Sequence, residues 1–127
     1  MIYGYVNVRK NIENRELIEQ KQANLLRKKG AEKILVETDG SGLRDLLQIL
    51  NPGDALHVLS TGHLGRNIGE LMKIIKFLSE KNITLYIAGE KISLEPIDMA
   101  LMEASLLAQK NEMETLLKIV TEIKTDK

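Results

Sequence analysis

No cysteine occurs in the 127 residues of this chain. Disulfides and thiolate metal sites are thereby excluded, and the redox compartment is left open. The two histidines, His57 and His63, do not fall at a metal-ligand spacing, so neither a metal nor any other cofactor is expected. No apolar run approaches the roughly 18 residues that span a bilayer, which argues against a membrane helix. Met1-Ile2-Tyr3-Gly4 offers no charged lead before an apolar stretch, so no signal peptide is visible and a cytoplasmic location is the default expectation. An excess of either charge is missing too: 18 basic and 18 acidic residues balance to zero. Proteins that bind nucleic acid unaided carry a basic excess, because phosphate neutralisation supplies most of the affinity. DNA binding by this chain is therefore expected to be weak or indirect.

What is present is the composition of an ordinary globular domain, 43% apolar and 28% charged, long enough to bury a core of its own. Two periodicities alternate along it. Ile2-Tyr3-Gly4-Tyr5-Val6-Asn7-Val8 reads as a first strand, followed by a helix over 14–29 with Leu17, Ile18, Ala23, Leu25 and Leu26 as its apolar stripe. Gly30 ends that helix, with Arg27, Lys28 and Lys29 in its last turn. Strands follow at 33–36, 55–59 and 83–88, separated by a short helix at 43–50 and another at 67–80. Lys91-Ile92-Ser93-Leu94 can add an edge strand. Strands alternating with helices predict a small, mostly parallel sheet with helices on both faces, an α/β fold.

The chain closes on a long helix, 97–125, without proline or glycine. Met99, Met102, Leu106, Gln109, Met113, Leu116, Val120 and Ile123 recur at alternating steps of three and four, and only Gln109 interrupts the apolar seam. A second stripe, Leu101, Ala104 and Ala108, can pack on the sheet. Such a seam either folds back on its own domain or pairs with another helix.

Two loops carry the chemical content. Gly4-Tyr5-Val6-Asn7-Val8-Arg9 and Leu59-Ser60-Thr61-Gly62-His63-Leu64-Gly65-Arg66-Asn67 together resemble the catalytic segments of the small serine recombinases, the resolvase and invertase family. That family opens on Gly-Tyr-x-Arg-Val-Ser, whose serine attacks DNA, and its second loop reads Leu-Asp-Arg-Leu-Gly-Arg. The resemblance implies that Arg9 stands at the nucleophile position and Asn7 at the first arginine, while Gly62-His63 replace the Asp-Arg pair. Gln22, Ser41-Gly42 and Leu64-Gly65-Arg66 match the family, with Asp39 displaced by one residue and Arg44 a counterpart of a later arginine. The resemblance also implies a resolvase-like fold over 1–127 with the terminal helix as a dimer interface, seamed by Met102, Leu106, Met113, Leu116, Val120 and Ile123. No helix-turn-helix domain is expected in this sequence.

Phosphoryl transfer rests on positioning and on cations around the transferred group, so lost arginines matter as much as the lost serine. A guanidinium stays protonated, and Arg9 cannot attack phosphorus. No catalytic residue is expected. Arg66, Arg44 and Ser41 are the candidates for weak phosphate binding. Gly62-x-x-Gly65 before a helix can cradle an anion, while Ser41, Ser60 and Thr61 read more simply as turn or cap residues and His63 as a solvent-facing loop residue. The expected function is a catalytically inactive resolvase-like domain that pairs with itself or with a recombinase. The alternatives are an active site-specific recombinase domain with another nucleophile, and a small phosphate-ligand-binding α/β protein.

Overall fold

A computed structural model describes the backbone of residues 1–125 and the side chains of residues 1–110. Met113, Leu116, Val120 and Ile123 of the expected seam thus lie outside the described side chains. The chain forms two compact units, residues 1–94 and 95–127. The first comprises β1 (Ile2–Val6), α1 (Arg15–Lys28), β2 (Lys33–Val36), α2 (Gly42–Ile49), β3 (Ala55–Val58), α3 (Ile68–Glu80), β4 (Thr84–Ile87) and β5 (Glu90–Ile92). The second is α4 (Pro96–Thr125). Within it Leu101, Ala104 and Ala108 are exposed.

The sheet runs β2-β1-β3-β4-β5, with β1 to β4 parallel and β5 antiparallel to β4. This is the mostly parallel α/β sheet read from the sequence. Right-handed crossovers then place α1 on one face and α2 and α3 on the other. Against α1 pack Val6 and Val8, with Ala23, Leu26 and Ala31. On the opposite face Leu56 and Leu85, partners in register, meet helices whose buried residues are Leu46, Leu47, Leu71, Ile75 and Leu78. All four residues of β3 are buried, as a central strand covered on both sides requires.

Local chemistry sets the boundaries. Gly30, at φ 106°, ends α1 in a Schellman motif: its N–H donates to Arg27 O at 3.1 Å and that of Ala31 to Leu26 O at 3.0 Å. The end of α3 repeats the motif with Asn82 at φ 59°, its N–H on Ser79 O and that of Ile83 on Leu78 O. The α1 stripe is narrower than expected, for Leu17 and Leu25 are 50% and 43% exposed. At 100° per residue Leu17 falls opposite Ile18, Gln22 and Leu26, the line that faces the sheet.

Candidate functional site

From β1 the chain crosses one way to β2, then back over β1 to β3. Such a switch point opens a crevice at the carboxyl ends of β1 and β3. The two loops singled out in the sequence leave those strand ends. Gly4, Tyr5, Val8 and Leu64 are buried, whereas Asn7, Arg9, Gly62 and Arg66 are exposed.

The residues that carry the resemblance have packing reasons to be what they are. A Cβ on Gly4 would lie 2.6 Å from Ile34 Cδ1 and 3.2 Å from both Leu26 Cδ1 and Ala31 Cβ, so a larger residue here would have to displace the side chains packed between α1 and the sheet. On Gly65 it would lie 2.6 Å from the backbone nitrogen of Leu71. Leu64, 3% exposed, anchors the same loop in the core. Of the positions that depart from the family, Asn7, Arg9 and Gly62 are exposed, where stability does not dictate identity, and His63 is half-buried.

At the end of β2 the sequence reading missed the central residue. Glu37 is 7% exposed, and its carboxylate accepts five hydrogen bonds. The Tyr5 hydroxyl donates to Oε1 at 2.7 Å and the Leu43 N–H at 3.2 Å. The N–H groups of Thr38, Gly40 and Gly42 donate to Oε2 at 3.1, 3.1 and 3.0 Å. Burial alone would raise the Glu37 pKa, but the bonds from Tyr5, Gly42, Leu43 and Gly40 outweigh it and hold it below the ordinary carboxylate value. Burial and the neighbouring carboxylate push the Tyr5 phenol upward. Arg15 ties the assembly to α1 by donating to Glu37 O at 3.0 Å. A helix N-terminus that would suit an external anion is thus filled by the chain's own carboxylate. The legible signal was an acid at a strand end just before Thr38-Asp39-Gly40-Ser41-Gly42, a loop whose N–H groups need an acceptor.

Ser41 lies in that loop as a turn residue. Its N–H and hydroxyl both donate to Asp39 Oδ1, at 3.0 and 2.6 Å, and its hydroxyl lies 3.4 Å from Asp45 Oδ2. The serine bonds hold Asp39 below its ordinary pKa, which makes it a poor base. Two carboxylates at one hydroxyl also repel phosphate. Arg44 is exposed on the first turn of α2. Among the described residues no hydrogen bond or ion pair joins it or Arg66 to Ser41.

The loop after β3 is closed from within as well. A 3-10 turn at Thr61–His63 directs the N–H groups of His63 and Leu64 to Ser60 O and Thr61 O, at 3.2 and 3.0 Å. Asn67, not Ser60 or Thr61, caps α3: its Oδ1 accepts from Glu70 N at 2.9 Å, and Glu70 Oε2 accepts from Arg66 N at 2.8 Å. The Gly62-x-x-Gly65 cradle is therefore largely committed to its own backbone and to Glu70. His63 differs from the expectation too. It is half-buried with Nδ1 out of water, and burial lowers its pKa, because the turn that inserts Leu64 carries the adjoining imidazole inward. His57 is 1% exposed and accepts from Gly89 N at Nε2, 2.9 Å away, a role that fixes it neutral in the core. Gln22 lies on α1 with its Oε1 buried and no hydrogen-bond partner among the described residues.

Comparison with known proteins places this geometry. The sequence is 33% identical over 89 residues to the DNA-invertase of Enterobacteria phage P7, covering 65% of this chain and 46% of that protein. It is 35% identical over 89 residues to the serine recombinase gin of Escherichia phage Mu, covering 65% and 44% respectively. The chain thus spans less than half the length of these relatives. The fold matches that of a resolvase family site-specific recombinase from Streptococcus pneumoniae at a TM-score of 0.66 and 10% identity, over 99% of this chain and 98% of that one. The family model described as the resolvase N-terminal domain matches residues 4–126, and the chain belongs to that family, a resolvase-like domain of the serine recombinases.

Proposed function

We propose that this chain is a recombinase-family domain that does not cleave DNA and acts by association, with a second copy of itself or with a competent serine recombinase. The observation that carries this reading is the state of the switch-point crevice. Where the family places its nucleophile stands an exposed guanidinium, Arg9, and the hydroxyl nearest a base, Ser41, is held between two carboxylates. Two of the arginines that phosphoryl transfer needs are replaced, at Asn7 and His63, and the aspartate beside the second is replaced by Gly62. Association is supported by the apolar seam of the terminal helix, from Met102 and Leu106 to Leu116 and Ile123. The second unit of the fold consists of that helix, α4.

Light scattering on the native chain and on Leu116→Asp tests the association. A native dimer that the charge converts to monomer is expected, and a native monomer that forms no complex with an added serine recombinase would overturn it. Denaturing gels after incubation with supercoiled DNA test the chemistry. No covalent adduct is expected, and an adduct lost on Ser41→Ala or Ser60→Ala would restore the reading of an active domain with another nucleophile. Thermal stabilisation by inorganic phosphate would favour the phosphate-binding alternative, against which Glu37 and Glu70 now stand.

A further inference from the structure

The two edges of the sheet differ in how they are guarded. Open strand edges template pairing with other chains, and natural proteins blunt them by shortness and charge. At one edge β5 has three residues, two of them the exposed charges Glu90 and Lys91. At the other, β2 has a charge only at its first position, Lys33, and continues as Ile34-Leu35-Val36, each only half-buried. Beside this open edge lies a groove of about 270 Å³ between β2 and α2. Leu35, Leu46 and Ile49 give it apolar walls, and Asp39 and Asp45 border it with no lysine or arginine among its lining residues. Ile49, on the last turn of α2, is 58% exposed.

We propose that this edge and groove receive an extended segment of a partner protein, one that carries a lysine or arginine beside apolar side chains. Backbone pairing with β2 would supply affinity, an apolar side chain would cover Ile49 and Leu35, and the cation would meet Asp39 and Asp45. Both carboxylates keep acceptor capacity beyond their bonds to Ser41. Lys10, in the loop after β1, acts on Asp39 but does not line the groove. The carboxylates exclude nucleic acid as the occupant by repulsion. The inference stands whether or not α4 pairs.

The test uses the isotopically labelled chain and two capped synthetic peptides, Arg-Val-Thr-Val-Thr-Val and the same sequence with Glu in place of Arg. Saturable amide shifts confined to residues 33–39 and 45 are expected with the arginine peptide. Affinity is expected to fall at least about fivefold with the glutamate peptide, and by a similar factor for the chain carrying both Asp39→Asn and Asp45→Asn. Asparagine retains the acceptor that Ser41 uses, so spectra outside the groove should be unchanged. No shift at millimolar peptide, shifts elsewhere, or an equal response to both peptides would overturn the proposal. Concentration-dependent shifts at 33–36 without peptide would assign the edge to a second copy and equally overturn it.

Discussion

The loops after β2 and after β3 both lead into a helix N-terminus, and both are closed by a glutamate, but the two closures differ in kind. Glu37 precedes its loop, lies in the core and gathers five donors. Glu70 follows its loop, lies at the surface and accepts one N–H, from Arg66. A buried anion that satisfies many donors is a structural element whose loss leaves them unpaired, whereas an exposed cap competes with water throughout. One loop is built around its carboxylate; the other is trimmed by it.

Removing the two acids separately is the most direct way to break this contrast. Glu37→Ala should cost about 3–4 kcal/mol, because Tyr5 and four backbone N–H groups lose their acceptor in a site that admits little water. Glu37→Gln should fall between the variant and the native chain, since one amide oxygen serves some donors while its NH₂ opposes others. Glu70→Ala should cost under about 1 kcal/mol. Urea unfolding measures all three, and equal small losses would show that the Glu37 carboxylate is not the organising group of its loop.

Glycine substitutions should reverse the ranking. A Cβ on Gly65 meets the backbone of Leu71 at 2.6 Å, and a helix backbone cannot step aside. On Gly42 it meets Glu37 Oε2 at 2.7 Å, the end of a side chain that can shift. Gly65→Ala is therefore expected to cost about 3 kcal/mol and Gly42→Ala about 1–2 kcal/mol. If Gly42→Ala proves the more damaging, the carboxylate is held more rigidly than a side chain should be.

Acid should sharpen the comparison further. Hydrogen bonds depress the Glu37 pKa below 4.5 despite burial, so the unfolded chain binds more protons and stability falls as pH drops from about 4.5 through the folded value. Burial, with Lys29 in support, depresses His57 below 6.5, and the sign is the same: stability present above about 6.5 declines as pH falls below it. His63 is lowered by burial as well and titrates in that upper window. Glu37→Gln should flatten the lower limb of a stability–pH curve, and His57→Gln and His63→Gln should each remove part of the upper one. An unchanged lower limb in Glu37→Gln would mean that another carboxylate governs acid unfolding.

The contrast also shows what the sequence could and could not disclose. Alternating periodicity located every strand and helix of the sheet within a residue or two, because β3 and α3 are apolar in the pattern their burial demands. Gly30 was legible as a helix stop because a left-handed residue is required there. Glu37 was not, since its importance lies in donors spread from Tyr5 to Leu43 that only folding gathers around it. His63 misled for a similar reason: its burial follows from the turn that seats Leu64, a tertiary event with no local signature. Leu17 and Leu25 misled because an apolar residue on a helix need not lie on its buried line: Leu17 falls opposite that line and Leu25 at its margin.

A smaller effect separates the caps. Asn67→Ala removes the acceptor of Glu70 N and should cost about 1 kcal/mol, more than any single substitution at Ser60 or Thr61, whose side chains do not cap α3. A loss at Ser60→Ala or Thr61→Ala equal to that at Asn67→Ala would move the cap back to the hydroxyls.

The smallest expected effect carries the most functional weight. Ser41 bonds to Asp39 within an exposed turn, where water replaces the hydroxyl readily. Ser41→Ala should therefore change stability by no more than about 0.5 kcal/mol and leave the oligomeric state unaltered. The Asp39 carboxylate, relieved of its strongest donor, should titrate closer to its ordinary value, which carbon-detected NMR of the side chain reads directly. A turn residue gives that result and nothing more. A loss of any DNA-dependent signal in the same variant, with stability intact, would mean that this hydroxyl meets phosphate after all, and that the loop built around Glu37 opens in a state the folded chain alone does not adopt.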